Sequence, residues 1–297
     1  MASPHAGRVR LTESEIRAAV KAALAEDIGR GDVTSLATVP ARAKFTVVMR
    51  AREAMTVAGL AFAKTAFRLR ARAVRIKPLA RDEQRVKAGA GLLVISGPAR
   101  AILAAERVAL NFVQRLSGIA SLTAQFVAQV KGTKVRILDT RKTTPGWRRF
   151  EKYAVVCGGG ANHRMGLFDM VLIKDNHLAA LQDAKPNAVA AAIAGARKKF
   201  PRLKVEVEAD TLIQVQQAGA AGADIILLDN MSNAELRQAV KLAGRRAKTE
   251  ASGGVNLKTV QAIAQTGVDF ISVGAITHSA QAVDIGLDFD SEHFKAG

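Results

Sequence analysis

The sequence predicts an α/β protein whose larger part is a barrel of repeated βα units. From residue 134 onward, short β-branched runs alternate with helical segments of about 10–15 residues, the mark of parallel strands joined by helices. The stretches 221–229 (AGADIILLD) and 266–274 (TGVDFISVG) resemble each other, as two copies of one βα unit would. A closed or nearly closed barrel is the natural architecture, and an open doubly wound sheet is its competitor.

The first hundred residues follow a different pattern. A helix is predicted over 14–25, strands over 44–49 and 74–77, and a glycine-punctuated β turn over 89–97. A long helical stretch covers 99–130, with a break expected near Gly118. The barrel strands are then expected at 135–139, 170–174, 204–208, 224–228, 248–252 and 269–273.

Period-two alternation sorts the faces of these strands. Val205 and Val207 share one face, and Glu206 and Glu208 the other; Met170, Leu172 and Lys174 group together, as do Glu250 and Ser252. With the wholly apolar faces packed on the outer helices, Lys174, Glu206, Glu208, Asp229, Glu250 and Ser252 point into the barrel. Charges there cost stability unless paired, so their presence near the C-terminal strand ends argues for an active site. Glu206, one layer below Glu208, calls for a cationic partner that the sequence does not identify.

At 297 residues the chain can bury a large core without staples, and 49% hydrophobic with 24% charged residues is globular composition. The single cysteine, Cys157, excludes a disulfide framework and a cysteine-rich zinc site, and fits a reducing compartment. No apolar run approaches the ~18 residues of a membrane span, and the first ten residues lack a signal-peptide core, so a soluble, cytoplasmic protein is expected, with no membrane partner. The net charge of +18 invites nucleic acid, yet only 4% of residues are aromatic and no nucleic-acid motif accompanies the charge. Small phosphorylated or polycarboxylate substrates answer the same field. The densest basic run, 64–87, reads as a solvated face.

The chemistry-bearing residues cluster after the strands. Arg141, a planar fork for carboxylate or phosphate, and Lys142, a point cation, follow the first strand beside Thr140. The stretch 157–164 (CGGGANHR) misses the dinucleotide fingerprint and instead delivers His163 and Arg164 side by side on a glycine-rich turn. Lys174 ends the second strand as a Schiff-base nucleophile or an anion-holding ammonium. Glu208 and Asp229 end the next two, as an acid/base pair, a magnesium site or a counter-charge to a cationic transition state. The five histidines show no metal-site spacing. Ser252, Gly253 and Gly254, and then Val273, Gly274 and Ala275, follow the last two strands, where backbone N–H groups can approach a phosphate. Such parts suit transfer of a phosphorylated sugar to an anionic acceptor.

Taken together, the segments 26–34 (EDIGRGDVT), 106–111 (ERVALN), 114–120 (QRLSGIA), 139–146 (DTRKTTPG), 157–164, 172–177 (LIKDNH), 205–208 (VEVE), 227–230 (LLDN), 250–254 (EASGG) and 273–278 (VGAITH) resemble the quinolinate phosphoribosyltransferases, in that family's order over nearly the whole chain. The resemblance implies an irregular parallel α/β barrel of six to seven strands over 119–276, plus an N-terminal α/β sandwich domain over 1–118 that the tail 277–297 rejoins. It implies conversion of quinolinate and phosphoribosyl pyrophosphate, with Mg²⁺ and no organic cofactor, to nicotinate mononucleotide, pyrophosphate and CO₂, a step of NAD biosynthesis. Arg141, Lys142, His163 and Arg164 would hold the quinolinate carboxylates, with Thr140 alongside. Lys174 would contact substrate anions, and Glu208 and Asp229 would face the ribose and the metal. Lys142, Lys174, Glu208 and Asp229 are the expected catalytic set, and the loops 252–254 and 273–275 would take the 5′-phosphate. A homodimer or hexamer is implied, with Arg107 supplied across the interface. A Schiff-base aldolase on Lys174, a polyanion-binding protein and a relative acting on another acceptor are the competing readings. The motif at 26–34 has no role beyond ending a helix and turning.

Overall fold

The computed structural model describes residues 8–289. The chain divides into two compact units: residues 9–124, 149–159 and 280 onward form one, and residues 125–148 and 160–279 form the other. Residues 290–297 of the expected tail lie outside the described residues.

The N-terminal unit begins with helix α1 (Glu13–Ile28), opened by a reciprocal capping box between Thr12 and Glu15, which buries Ile16, Val20 and Leu24. The motif at 26–34 closes this helix at Gly29 and opens α2 (Val33–Thr38), where Asp32 accepts the N–H of Ser35. Then follow β1 (Lys44–Ala51), β2 (Met55–Thr56), α3 (Leu60–Arg70), β3 (Arg75–Pro78), β4 (Arg85–Val86), β5 (Gly91–Pro98) and α4 (Ala99–Gln129). An antiparallel sheet in the order β3-β5-β1 is completed by β12 (Ile285–Phe289), which returns to pair with β1.

Two expectations fail here for identifiable reasons. The region 89–97 is strand β5 and not a turn, because Leu92, Leu93 and Ile95 bury completely on the core face. Helix α4 runs unbroken through Gly118: a Cβ there would lie 1.9 Å from the carbonyl oxygen of Gln281, so that glycine serves a close backbone approach and not a break. The basic run 64–87 spreads over α3, β3, β4 and their connections, with Arg68, Arg70, Arg72, Arg75, Lys77, Arg81, Arg85 and Lys87 all exposed.

The second unit holds six parallel strands. They are β6 (Arg136–Leu138), β7 (Val171–Ile173), β8 (Val205–Ala209), β9 (Ile225–Asp229), β10 (Lys248–Ser252) and β11 (Phe270–Ser272), in the order β6-β11-β10-β9-β8-β7. That order is the chain order wound into a ring, the first strand pairing with the last, with no reversal. A doubly wound sheet would reverse at a switch point, so the barrel reading holds. The ring is irregular: among the named strands none pairs β6 with β7, and beside β6 only a parallel bridge joins Leu138 to Ala161.

Helices α6 (Asp175–Ala179), α7 (Ala188–Lys199), α8 (Leu212–Ala220), α9 (Asn233–Ala243), α10 (Val260–Ala264) and α11 (Ala275–His278) follow their strands. Helix α5 (Arg148–Cys157) departs from the pattern. Sequence order places it in the barrel region, whereas all but its first residue groups with the N-terminal unit. Its Glu151, with no exposed surface, pairs with Arg115 at 2.9 Å, and the Tyr153 hydroxyl donates to Asp82 at 2.6 Å. No described helix is long and apolar enough to cross a membrane.

Candidate active site

Strand β8 carries the alternation that the sequence predicts. Val205 and Val207 are fully buried, and on the other face Glu206 is fully buried and Glu208 nearly so. Both faces are therefore covered, and two carboxylates enter the barrel in successive layers. The register sets Glu208 beside Leu227 of β9, while Asp229, at the end of β9, pairs with Ser252 of β10.

At the outer layer Glu208 Oε2 takes an ion pair from the Lys174 ammonium, which follows β7 and is about half exposed. Asp229 Oδ2 accepts from Asn230 Nδ2 at 2.7 Å. Each acid thus has one oxygen engaged by the protein and one left. The Asp229 and Ser252 loops interlock: the N–H of Asn230 donates to the Ser252 carbonyl, and a Cβ on Gly253 would meet Asn230 Oδ1 at 2.1 Å. Gly253 also has φ +94°, so only glycine fits that turn.

The first and last strand ends meet as well. The Thr277 hydroxyl donates to the Lys142 carbonyl at 2.7 Å, and the Lys142 side chain runs past Gly274, where an added Cβ would lie 3.1 Å from its Cδ. The same Cβ would lie 3.1 Å from His278 Nε2, which brings that histidine to the glycine loop. Val273 is buried beneath, while Gly274 and Ala275 are partly exposed. Thr140 Oγ1 accepts the N–H of Lys142, and Arg148 braces the turn through Thr143 Oγ1 and the Met165 carbonyl.

Arg141 and Arg164 are the decisive pair. Nε of each is buried and has no hydrogen-bond partner among the described residues. Desolvation, followed by the like charge of Arg141, lowers the pKa of Arg164, whereas Glu206 and Asp169 act the other way. Two neighbouring guanidiniums with donors to spare form an anion site.

Beneath them sits a buried layer. Asp139 accepts the N–H of His163 at 2.8 Å and Nδ2 of Asn162 at 2.6 Å, pinning the glycine-rich turn to the end of β6. The partner of Glu206 is His163, whose Nε2 lies 3.1 Å from Oε2: an imidazole N–H in place of the fixed cation that the sequence called for. Glu250 approaches the same nitrogen at 3.6 Å. Burial above all, and then Glu206, push the Glu250 carboxyl up to about 8, with His163 pulling the other way.

The structure therefore brings together Thr140, Arg141 and Lys142 with the 273–275 loop, His163 with Arg164, Lys174 with Glu208, and Asp229 with the 252–254 loop. Arg107 is exposed on α4, in the N-terminal unit. Sequence reasoning missed Asp139, Asn162, Arg148 and His278 as site-building residues. Their signal was adjacency to the motifs 139–146, 157–164 and 273–278.

A parallel βα barrel whose strand ends gather cations, two acids and glycine loops defines an enzyme that handles anionic, phosphorylated small molecules. Residues 119–288 match the C-terminal domain of quinolinate phosphoribosyl transferase and residues 32–117 its N-terminal domain, so the chain belongs to the quinolinate phosphoribosyl transferase family. It is accordingly a pentosyl-transferring enzyme. Its relatives include the chloroplastic nicotinate-nucleotide pyrophosphorylase [carboxylating] of Arabidopsis thaliana, 44% identical over 94% of this chain and 84% of that one. The Mycobacterium leprae protein of that name is 42% identical over 94% and 99% of the two chains. The solved nicotinate-nucleotide pyrophosphorylase from Francisella tularensis superposes with a TM-score of 0.89 at 40% identity, covering 95% of this chain and 98% of that one.

Proposed function

We propose that this chain transfers the phosphoribosyl group of phosphoribosyl pyrophosphate to quinolinate, with decarboxylation, giving nicotinate mononucleotide, pyrophosphate and CO₂ for NAD biosynthesis. The observation that carries this reading is the pair of buried, partnerless Nε–H donors on Arg141 and Arg164. An acceptor with two adjacent carboxylates supplies what they lack, and Lys142 and Lys174 add charge at its edge.

A dianionic acceptor and a polyanionic donor repel each other in water, and fixed cations that hold both supply proximity. The ring nitrogen attacks C1 of the ribose as the bond to pyrophosphate breaks. Positive charge develops on the sugar, and Glu208 and Asp229 lie where carboxylates would stabilise it. The glycine loops at 252–254 and 273–275 would seat the 5′-phosphate. The resulting pyridinium accepts the electron pair released as the adjacent carboxylate leaves as CO₂, and a solvent proton takes its place on the ring.

The open oxygens of Glu208 and Asp229 suit Mg²⁺, a hard cation held by one or two carboxylates together with substrate phosphates. When bound, the ion would offset the charge of the departing pyrophosphate. Arg107 would enter the pocket from the partner subunit of a homodimer. A cytoplasmic location would keep the buried Cys157 thiol reduced.

The test is incubation with Mg²⁺, phosphoribosyl pyrophosphate and either quinolinate or nicotinate, followed by assay of CO₂ and mononucleotide. Product from quinolinate alone is expected. Product from nicotinate, or from neither, would overturn the reading.

A further inference from the structure

We infer that Glu206 and Glu250 serve the transferase as positioning residues: they fix the His163 ring, and through it the backbone of Arg164. The inference rests on the reading of the cation cluster as the acceptor site. Nδ1 of His163 accepts the N–H of Arg164 at 2.7 Å. A neutral ring that accepts at Nδ1 carries its proton on Nε2. That nitrogen points inward, 3.1 Å from Glu206 Oε2 and 3.6 Å from Glu250 Oε1. Both ring nitrogens are thus occupied within the protein, and the imidazole is a strut and not a direct ligand of a substrate carboxylate.

The lower end of the strut rests on carboxylates that have no exposed surface and are held in strands β8 and β10. Its upper end holds the Arg164 backbone, while Asp139 fixes the His163 N–H from the side. The Arg164 side chain makes one further anchor, from Nη1 to the Met170 carbonyl at 3.2 Å. The partnerless Nε–H is thereby left in a set direction. Carboxylates suit the lower position because they only accept, which holds the ring in one tautomer, as carboxylates do beneath metal-binding histidines. The ligand-type atoms of His163, Glu206 and Glu250 lie within 4.8 Å of one another, close enough to suggest a metal ion. The tautomer argues against one, since the nitrogen facing the acids carries a proton in place of a free lone pair.

The test compares Glu206→Leu, Glu206→Gln, His163→Asn and the double variant Glu206→Leu/His163→Asn. Quinolinate affinity is measured by calorimetry without donor, alongside KM for each substrate, kcat and Tm. Glu206→Leu removes the acceptor and should weaken quinolinate binding about tenfold or more, as misplacement of a binding group does, with KM for phosphoribosyl pyrophosphate nearly unchanged. Glu206→Gln keeps an acceptor opposite Nε2–H and should recover most of the affinity. His163→Asn keeps an acceptor for the Arg164 N–H but loses the reach to Glu206, so the double variant should bind no worse than the weaker single.

Unchanged quinolinate affinity in Glu206→Leu would overturn the inference. So would multiplicative losses in the double variant, or equal losses for both substrates with a lowered Tm. Should Glu206→Leu fail to fold, Glu206→Met takes its place in the same comparison. A wild-type enzyme that neither binds nor turns over quinolinate would overturn the functional reading itself, a result distinct from these.

Discussion

The Lys174 ammonium and the Glu208 carboxylate meet in an ion pair at the mouth of the barrel, one from the end of β7 and the other from its neighbour β8. The acid is nine-tenths buried and the lysine about half exposed, so the lysine can swing to an anion while the acid stays fixed. This asymmetry assigns Lys174 to binding and Glu208 to the charge that develops on the sugar. Glu208→Gln should lower kcat by more than it raises either KM, because its effect is realised in the transition state. Steady-state kinetics with both substrates varied checks this, and a dominant rise in KM would assign Glu208 to ground-state binding.

Arg164→Lys keeps the charge and should still be a severe loss. Lysine offers a point charge and cannot reproduce a fork anchored at the Met170 carbonyl with Nε–H left for a ligand. We expect kcat/KM for quinolinate to fall by about a hundredfold, the scale on which misplaced binding groups act, with KM for phosphoribosyl pyrophosphate changed far less. Near-wild-type kinetics in Arg164→Lys would show that only charge matters there.

Period two in the strands made much of this site legible. The sequence VEVE can present its acids on one face only, and residues 248–252 are both the predicted and the observed strand β10. Contacts that join distant segments were not legible. Nothing local to Glu206 points to His163, which arrives on a turn forty-three residues earlier in the chain and is set by Asp139. Gly118 misled for the same reason: a glycine that admits another backbone and a glycine that breaks a helix look alike until the approaching segment, Gln281, is placed. Helix α5 was assigned by its position in the chain, whereas its buried acid Glu151 pairs with Arg115 of α4.

Arg107 supplies a test of the proposed assembly. With Arg107 given by one subunit to the site of the other, Arg107→Ala and Lys174→Ala inactivate complementary halves. Subunit exchange between the two inactive proteins should restore roughly a quarter of wild-type activity, because half of randomly formed dimers are mixed and each holds one intact site of two. Activity after denaturation and joint refolding is the measurement, and no recovery would count against a shared pocket.

Glu250 makes stability depend on pH in a direction opposite to that of most carboxylates. Its folded-state pKa is raised from 4.5 to about 8, first by burial and then by Glu206, with Asp139 adding to the rise and His163 and a hydrogen bond from Ser272 opposing it. Below 4.5 the carboxyl is protonated in both folded and unfolded chains, and its burial carries no charge penalty. Between 4.5 and about 8 the unfolded chain has released the proton that the folded chain keeps, so the folded state binds more protons and loses stability as pH rises. Above that range the penalty is complete and constant. Glu250→Gln removes the titrating group while keeping its shape. The variant should therefore show a shallower fall of Tm across this range than wild type, and a higher Tm at its alkaline end. Thermal melts of the two proteins at intervals across the range decide the matter: parallel curves would mean that Glu250 ionises in the fold as it does in the open chain, and that the buried layer beneath Arg164 is wetter than its geometry implies.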